Sequence, residues 1–202
     1  MTGSRVILRW LERALFTVAG ALALWCAVTI VEARYFSSLP IPASSGVRRT
    51  LPGETPDDGG HGRAALAPGT WIGRLEAPSV KLAATVLEGS DDRTLDRAAG
   101  HIEETPLPGD RGNVAIAAHR DTVFRPVRNL RVGDAVVLTT ADRIYRYRVK
   151  SLKVVQPDDI AVLDPSDHPT LTLVTCYPFT FIGAAPKRFV VSADLVSVEP
   201  RS

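Results

Sequence analysis

The sequence predicts a mainly β domain, a closed or nearly closed β-barrel with short helices, preceded by one apolar helix. From Trp71 onward, short apolar segments alternate with turn residues. The chain has 15 glycines and 15 prolines, which favour turns over long regular elements. Its 202 residues allow one domain with a full core and leave little room for a second.

The first element is a candidate transmembrane helix over residues 14–31, which contain no charged residue. A helix of that length covers about 27 Å, close to the roughly 30 Å of a bilayer core. More arginines precede it than follow it, so residues 1–13 are expected in the cytoplasm and the rest outside. A buried globular helix and a cleaved signal peptide are the alternatives. The long apolar run and the poor cleavage site at 31–33 favour an uncleaved, single-pass membrane anchor.

Residues 32–69 are predicted to be a stalk that holds the domain away from the membrane. From Ser37 to Gly69 the chain is rich in proline, glycine, serine and arginine and has no apolar period. His61 lies in this stretch and is interpreted as a solvated linker residue. The remaining residues, 70–202, form the predicted barrel.

Seven segments of the barrel domain have the composition of strands, with an eighth strand possible. Ser90 is the predicted N-cap of a short helix that ends before Gly100. Because Pro178 cannot donate to a ladder, the strand before it is expected to end at or just after Cys176. The predicted strands are Trp71–Leu75, Leu82–Leu87, Asn113–Ala118, Ala135–Leu138, Ile144–Val155, Leu171–Thr175 and Phe189–Leu195.

Charge excludes some partners. The net charge of +2 is located before the apolar helix, so the exported part is balanced, and no basic patch indicates nucleic acid. The carboxylates of the barrel do not form a tight cluster, so no metal and no cofactor is predicted. The scattered acids are Glu103, Glu104, Asp110 and Asp121.

The two cysteines cannot pair if the predicted topology holds. Cys26 lies in the apolar helix and Cys176 in the exported domain. A lone cysteine in an apolar run is most often core packing. An unpaired thiol outside the cell instead indicates intermolecular pairing or a reactive group.

Three residues with complementary chemistry follow or begin predicted strands. His119 follows NVAIAA, Cys176 follows TLTLVT, and Arg188 opens the next strand. A thiolate is a nucleophile, an imidazole can transfer a proton near neutral pH, and a guanidinium can stabilise an oxyanion. The trio therefore has the components needed for acyl transfer through a thioester.

The segments GNVAIAAHRDT, TLTLVTCYPF and APKRFVV, in this order, resemble the His, TLxTC and Arg blocks of the sortases. TCYPF and HRDT are most similar to class D. The similarity extends from about Gly73 to Leu195 and includes GHIEETPLPGDRGN. The resemblance implies an eight-stranded barrel and a cysteine transpeptidase that cleaves an LPxTG-like sorting signal in secreted proteins.

The same resemblance implies a role for each residue of the trio. Cys176 would attack the carbonyl after the threonine of the signal and form a thioester. His119 would protonate the departing amine and deprotonate the incoming one, and Arg188 would orient the signal and stabilise the oxyanion. The acceptor amine would belong to a cell-wall precursor or to a protein side chain such as lysine.

Four neighbours of the trio are candidate substrate-binding residues. Ala118 replaces the glycine usual in the family and is expected to narrow the site by one methyl group. Asp121 either supports His119 or begins a turn, and Thr175 either donates near the acyl site or only completes a strand. Tyr177 either lines the substrate groove or packs in the core.

Three further ring side chains lie in or between the predicted blocks. Phe179 has the same two alternatives as a groove or a core residue. His101, in the segment similar to the GH-x-P block of the family, is either structural or functional. His168 is interpreted as a loop residue.

Three other interpretations compete with this one. An L,D-transpeptidase of peptidoglycan shares the His-then-Cys order but has a different sequence around its cysteine. A papain-like peptidase has the reverse order. A non-catalytic membrane-tethered β-domain that binds surface proteins would have a buried, inert Cys176.

Overall fold

The computed structural model of the protein describes residues 3–37, 66–180 and 183–201. Within these ranges, eight strands close into a single barrel, which confirms the predicted fold class. The strands are β1 Trp71–Ala77, β2 Leu82–Glu88, β3 Ala99–His101, β4 Asn113–Ala117, β5 Ala135–Thr139, β6 Arg143–Val155, β7 Thr170–Tyr177 and β8 Lys187–Pro200. The helices are α1 Gly3–Ser37 and α2 Asp92–Leu95, with short 3₁₀ turns at Pro78–Val80, Arg125–Asn129 and Ile160–Leu163.

The order of strands around the barrel is β1-β2-β3-β4-β7-β8-β6-β5. The pairs β2–β3 and β4–β7 are parallel, and the other pairs are antiparallel. Since β4 and β7 are parallel neighbours, their C-terminal ends lie at the same rim. The antiparallel β8 begins at that rim, so one end of the barrel collects residues from three distant parts of the chain.

The barrel interior is filled by the inward side chains of alternate strand positions. On β7, Leu171 and Leu173 are fully enclosed, and they pack in one core with Leu75, Ile116 and Leu138. Each such side chain contributes about 1.5–3 kcal/mol when it leaves water. This packing sets which positions of β7 face inward, and the alternate positions lie on the outer face of the sheet, where Thr170 and Thr172 are covered and Cys176 is partly exposed.

The seven predicted strands are all present, whereas β3 escaped prediction. Its three residues, Ala-Gly-His, are too few to show a period, and its pairing with β2 and β4 defines it as a strand. The N-cap prediction was wrong by one residue. Asp91 caps α2 by accepting hydrogen bonds from Arg93 N and Thr94 N, whereas Ser90 donates to Glu103. Strand β7 ends at Tyr177, as Pro178 requires.

Helix α1 includes the apolar stretch at residues 14–31. Its described apolar side chains are exposed, with Leu15 and Trp25 each at 72 %. A search of the described residues finds no helix whose length and hydropathy suffice for a membrane crossing. Most of the predicted stalk, including His61, falls on residues 38–65, which are outside the described ranges.

Candidate active site

Cys176 and Arg188 are direct neighbours across the β7–β8 pair. Facing residues of an antiparallel pair project to the same side of the sheet, with Cβ atoms about 4.5–5.5 Å apart. Thr175, the residue before Cys176, is buried, while Cys176 is partly exposed. The thiol and the guanidinium group therefore share the outer face of the barrel at its rim.

The Arg188 guanidinium is anchored to the described residues through Nη1. Its Nη1 donates to the carbonyl oxygens of Ala185 at 3.2 Å and Lys187 at 3.1 Å. Its Nη2 and Nε make no hydrogen bond to the described residues. Those two nitrogens are available to an anionic oxygen that develops next to Cys176.

His119 is held close to the end of β7 by the backbone. Ala118 N donates to Val174 O at 3.2 Å, and Thr175 Oγ1 donates to Ala118 O at 2.7 Å. The residue before His119 is thus bonded to the two residues before Cys176. The His119 side chain is 39 % exposed and open to solvent.

Asp96 is the acidic neighbour of His119, and sequence reasoning missed it. Its Oδ1 lies 3.5 Å from His119 Nε2, and its side chain is 73 % exposed. The carboxylate follows helix α2, 23 positions before His119 in the chain, so no spacing pattern could have indicated the contact. Because both side chains are exposed, the contact adds little to the stability of the fold, and its main effect is to orient the imidazole ring.

The Cys176 thiol makes no hydrogen bond to any residue that the structure describes. Hydrogen bonds of catalytic groups are often long in a substrate-free site and shorten when the substrate binds. The rim therefore combines an accessible thiol, a half-exposed imidazole and a guanidinium with free donors.

The four predicted substrate-binding residues lie in four different environments. Ala118 is 5 % exposed and packs in the core, so its methyl group does not narrow the rim. The Thr175 hydroxyl is directed to the backbone of Ala118. Asp121 is exposed and forms no ion pair with His119 within the described residues. Tyr177 is half-buried next to Cys176.

Aromatic side chains form a cluster around Tyr177. Its ring centroid lies 6.1 Å from that of Phe179 and 6.3 Å from that of Phe189, and the latter two are 5.3 Å apart. Such edge-to-face and stacked pairs add about 0.5–1.5 kcal/mol beyond burial. The cluster links the end of β7 to the start of β8 and stiffens the rim that carries Cys176 and Arg188.

The other two described histidines have other partners. His101 is buried and bonds Glu88, whereas His168 is exposed and lies 3.1 Å from Asp194. Although desolvation opposes the shift, hydrogen bonds from His168 and Lys150 hold the pKa of Asp194 below its usual range. No group of three or more potential metal ligands occurs among the described residues.

Comparison with known proteins agrees with this geometry. The family model described as "Sortase domain" matches residues 75–196. Sortase D of Bacillus subtilis is 31 % identical over 172 residues, which cover 84 % of this chain and 83 % of that protein.

The structure of a Clostridium perfringens Sortase D5 transpeptidase superposes with a TM-score of 0.60 at 32 % identity, covering 65 % of this chain and 82 % of that one. Sortase E1 from Streptomyces coelicolor, solved with a tripeptide in its active site, gives a TM-score of 0.60 at 30 % identity, covering 68 % and 94 %. These matches confirm the resemblance read from the His, Cys and Arg segments, including its class D character. The chain belongs to the sortase family of cysteine transpeptidases.

Proposed function

We propose that this protein is a membrane-anchored sortase that cleaves an LPxTG-like signal of secreted proteins and transfers them to an amine. The proposal rests on the facing positions of Cys176 and Arg188. It also rests on the hydrogen bonds that tie Ala118, the residue before His119, to the end of β7. No cofactor is needed, because a thiolate, a proton carrier and an oxyanion donor are sufficient for acyl transfer.

In the first half-reaction, the Cys176 thiolate attacks the carbonyl carbon after the signal's threonine and forms a C–S bond. The free Nη2 and Nε of Arg188 donate to the resulting oxyanion. As the C–N bond breaks, His119 transfers a proton to the departing amine, and the N-terminal part of the client stays bound as a thioester. Asp96 keeps the imidazole oriented toward the rim.

In the second half-reaction, an amine attacks the thioester and His119 accepts its proton. The C–S bond breaks, which regenerates the thiolate and leaves an amide. The acceptor is a cell-wall precursor or a protein lysine, and water would give hydrolysis instead. The tripeptide in the Sortase E1 active site supports a peptide substrate for the rim described here.

The exposed apolar side chains of α1 and the charge-free stretch at 14–31 support a single-pass anchor in the cell membrane. The arginines before it support a cytoplasmic N-terminus and an extracytoplasmic barrel. A membrane-impermeant maleimide applied to intact cells tests this orientation through the two cysteines. We expect labelling of Cys176 but not of Cys26; labelling of neither until the cells are lysed contradicts the topology.

The catalytic assignment is tested with a fluorogenic LPxTG-like peptide and the intact mass of the enzyme. We expect cleavage, a mass increase equal to the N-terminal fragment, and release of that fragment as a hydroxamate by hydroxylamine. Cys176→Ala should abolish all three signals, while Cys26→Ala, the matched control, should retain them. Full cleavage by Cys176→Ala refutes the proposed mechanism.

A further inference from the structure

A cavity of about 400 Å³ opens at the end of the barrel opposite Cys176. Strand β8 runs from Arg188, beside the thiol, to Leu195, beside the cavity. Seven residues of strand span about 24 Å, so the cavity is remote from the proposed catalytic rim. Its apolar walls are formed by Val114, Tyr145, Tyr147, Leu195 and Val198.

The walls result from the pairing of β6 with β8. Tyr145 faces Val198 and Tyr147 faces Leu195, with a bulge between the two pairs, and both tyrosines are buried. The rings and the aliphatic side chains therefore line the inside of one barrel mouth. Barrel mouths are frequent ligand sites, and this volume lies at the lower end of the range of about 300–1,000 Å³ for small-molecule pockets.

The hydroxyl of Tyr147 differs from that of its neighbour Tyr145 in its hydrogen bonding to the described residues. Tyr147 is 3 % exposed and lines the cavity, yet its oxygen makes no hydrogen bond to any described residue. The neighbouring Tyr145 hydroxyl, in contrast, donates to Pro108 O at 3.3 Å. Burial, with a smaller effect of Tyr145, raises the pKa of Tyr147, so its hydroxyl stays a neutral donor. Tyrosine hydroxyls in protein interiors are normally hydrogen-bonded, and Tyr147 is a lining residue of the cavity, where a ligand could supply the missing acceptor.

A cationic group stands at the mouth of the same cavity. Arg143 begins β6, two positions before Tyr145, and its exposed side chain forms no ion pair with the described residues. A guanidinium binds a carboxylate through two parallel hydrogen bonds. Asp110, on the same rim, already has an interaction partner.

We propose that this barrel mouth binds a small carboxylic acid with an apolar body and a hydrogen-bond acceptor at its far end. The carboxylate pairs with Arg143 at the rim, the body lies against Leu195 and Val198, and the acceptor receives the Tyr147 hydroxyl proton. The site does not use Cys176, so this proposal can be tested independently of the proposed peptide cleavage.

The test uses the full-length chain in detergent micelles, with binding followed by calorimetry and by methyl NMR. The probes are 5-phenylpentanoate, its ketone analogue 4-benzoylbutyrate, and 5-phenylpentylamine. We expect both acids to bind and to shift the methyl signals of Val114, Leu195 and Val198. The amine, which has the opposite charge, should not bind.

Two variants assign the contacts. Arg143→Gln should weaken both acids at least 5-fold, whereas Arg146→Gln, which alters an outward arginine paired with Glu199, should not. The ketone should bind about 3- to 10-fold tighter than the methylene compound, as one hydrogen bond allows, and Tyr147→Phe should remove that difference. Because Tyr147→Phe deletes a hydroxyl that bonds none of the described residues, the melting temperature of the variant without ligand should be unchanged or higher.

Three results would overturn the site. The first is no binding of either acid at about 10 mM, and the second is binding that neither Arg143→Gln nor Tyr147→Phe changes. The third is a set of shifts centred on the Cys176 end of the barrel. Repeating the titration with Cys176→Ala separates this site from the active site, since binding should be unaffected there.

Discussion

His101 and His119 both lie next to a carboxylate, but their surroundings are opposite. The His101 side chain is 1 % exposed, and its Nδ1 lies 2.8 Å from Glu88 Oε2. The His119 side chain is 39 % exposed, and the carboxylate of Asp96 lies 3.5 Å from its Nε2. A buried imidazole with both nitrogens hydrogen-bonded stabilises the fold around it. An exposed imidazole with an unbonded nitrogen can exchange a proton with a substrate.

Every hydrogen-bonding position of His101 is occupied. Its Nε2 contacts Pro106 O at 3.0 Å, and because a carbonyl only accepts, that nitrogen carries a hydrogen. One more proton lies between Nδ1 and Glu88, on one partner or the other. Thr105 Oγ1, 3.3 Å from Nε2, also accepts from Ala115 N and so connects the dyad to β4. Changing the protonation of this dyad would break bonds that hold β2, β3 and β4 together.

The first prediction, which has the largest effect, compares the same substitution, histidine to asparagine, at the two positions. We expect His119→Asn to lower kcat by about 10²–10⁴-fold, the range for a general acid–base residue, with little change in melting temperature. We expect His101→Asn to lower the free energy of unfolding by about 3–5 kcal/mol, because it leaves Glu88 buried without its partner. Peptide cleavage and denaturant unfolding measure the two effects.

The matched measurement is activity per folded molecule. His101→Asn that remains folded should keep most of its kcat, because the dyad contacts neither Cys176 nor Arg188 among the described residues. A fully stable His101→Asn, or a destabilised His119→Asn with normal kcat, would break the distinction.

The second prediction concerns the free donors of Arg188. Arg188→Lys keeps the charge but loses the planar group that bonds the loop through Nη1 and offers Nη2 and Nε to the oxyanion. We expect kcat to fall about 10²–10³-fold, as for the loss of an oxyanion donor, with a smaller change in KM. Lys187→Arg, at the exposed preceding position, is the control and should be near wild type. A change confined to KM would instead assign Arg188 to ground-state binding.

A smaller effect is expected at Asp96. Asp96→Asn keeps the size of the side chain and removes its charge, so His119 should lose its preferred orientation in part. Because both groups are exposed, we expect kcat/KM to fall only about 2- to 5-fold, within the energy of a surface ion pair. Asp92→Asn, in the first turn of the same helix, should leave kcat/KM unchanged. Equal effects of the two substitutions would indicate a general electrostatic influence.

The smallest effect is a pH dependence at the N-cap of α2. Hydrogen bonds from Thr94 and Arg93 lower the pKa of Asp91 from its ordinary value of 3.8. A depressed carboxyl pKa stabilises the fold above the unfolded pKa, and this contribution is lost as the pH falls through the folded pKa. Asp91→Asn keeps the cap but not the charge. The stability difference between wild type and Asp91→Asn should therefore vanish well below pH 3.8, as measured by urea unfolding across pH.

Local features were predictable where a local cause exists. The alternating threonines and apolar residues of β7 predict a strand, and Pro178 ends it. The chemical types of His119, Cys176 and Arg188, at the ends of predicted strands, indicate thioester chemistry from the sequence alone. In contrast, β3 shows no period, and Asp96 has no signal in the sequence that connects it with His119.

Four properties follow from the sequence without the structure: the barrel class, the apolar first helix, the identity of the three candidate groups and the family they resemble. These properties depend on residues that are close together in the chain, because hydrophobic periodicity, proline and side-chain chemistry act over a few residues. Only the tertiary structure decided that β4 lies parallel to β7, that Cys176 faces Arg188, and that Asp96 approaches His119. It also decided that Tyr147 faces a cavity at the far mouth. Each of these contacts depends on how the closed barrel brings strands distant in the chain into one register.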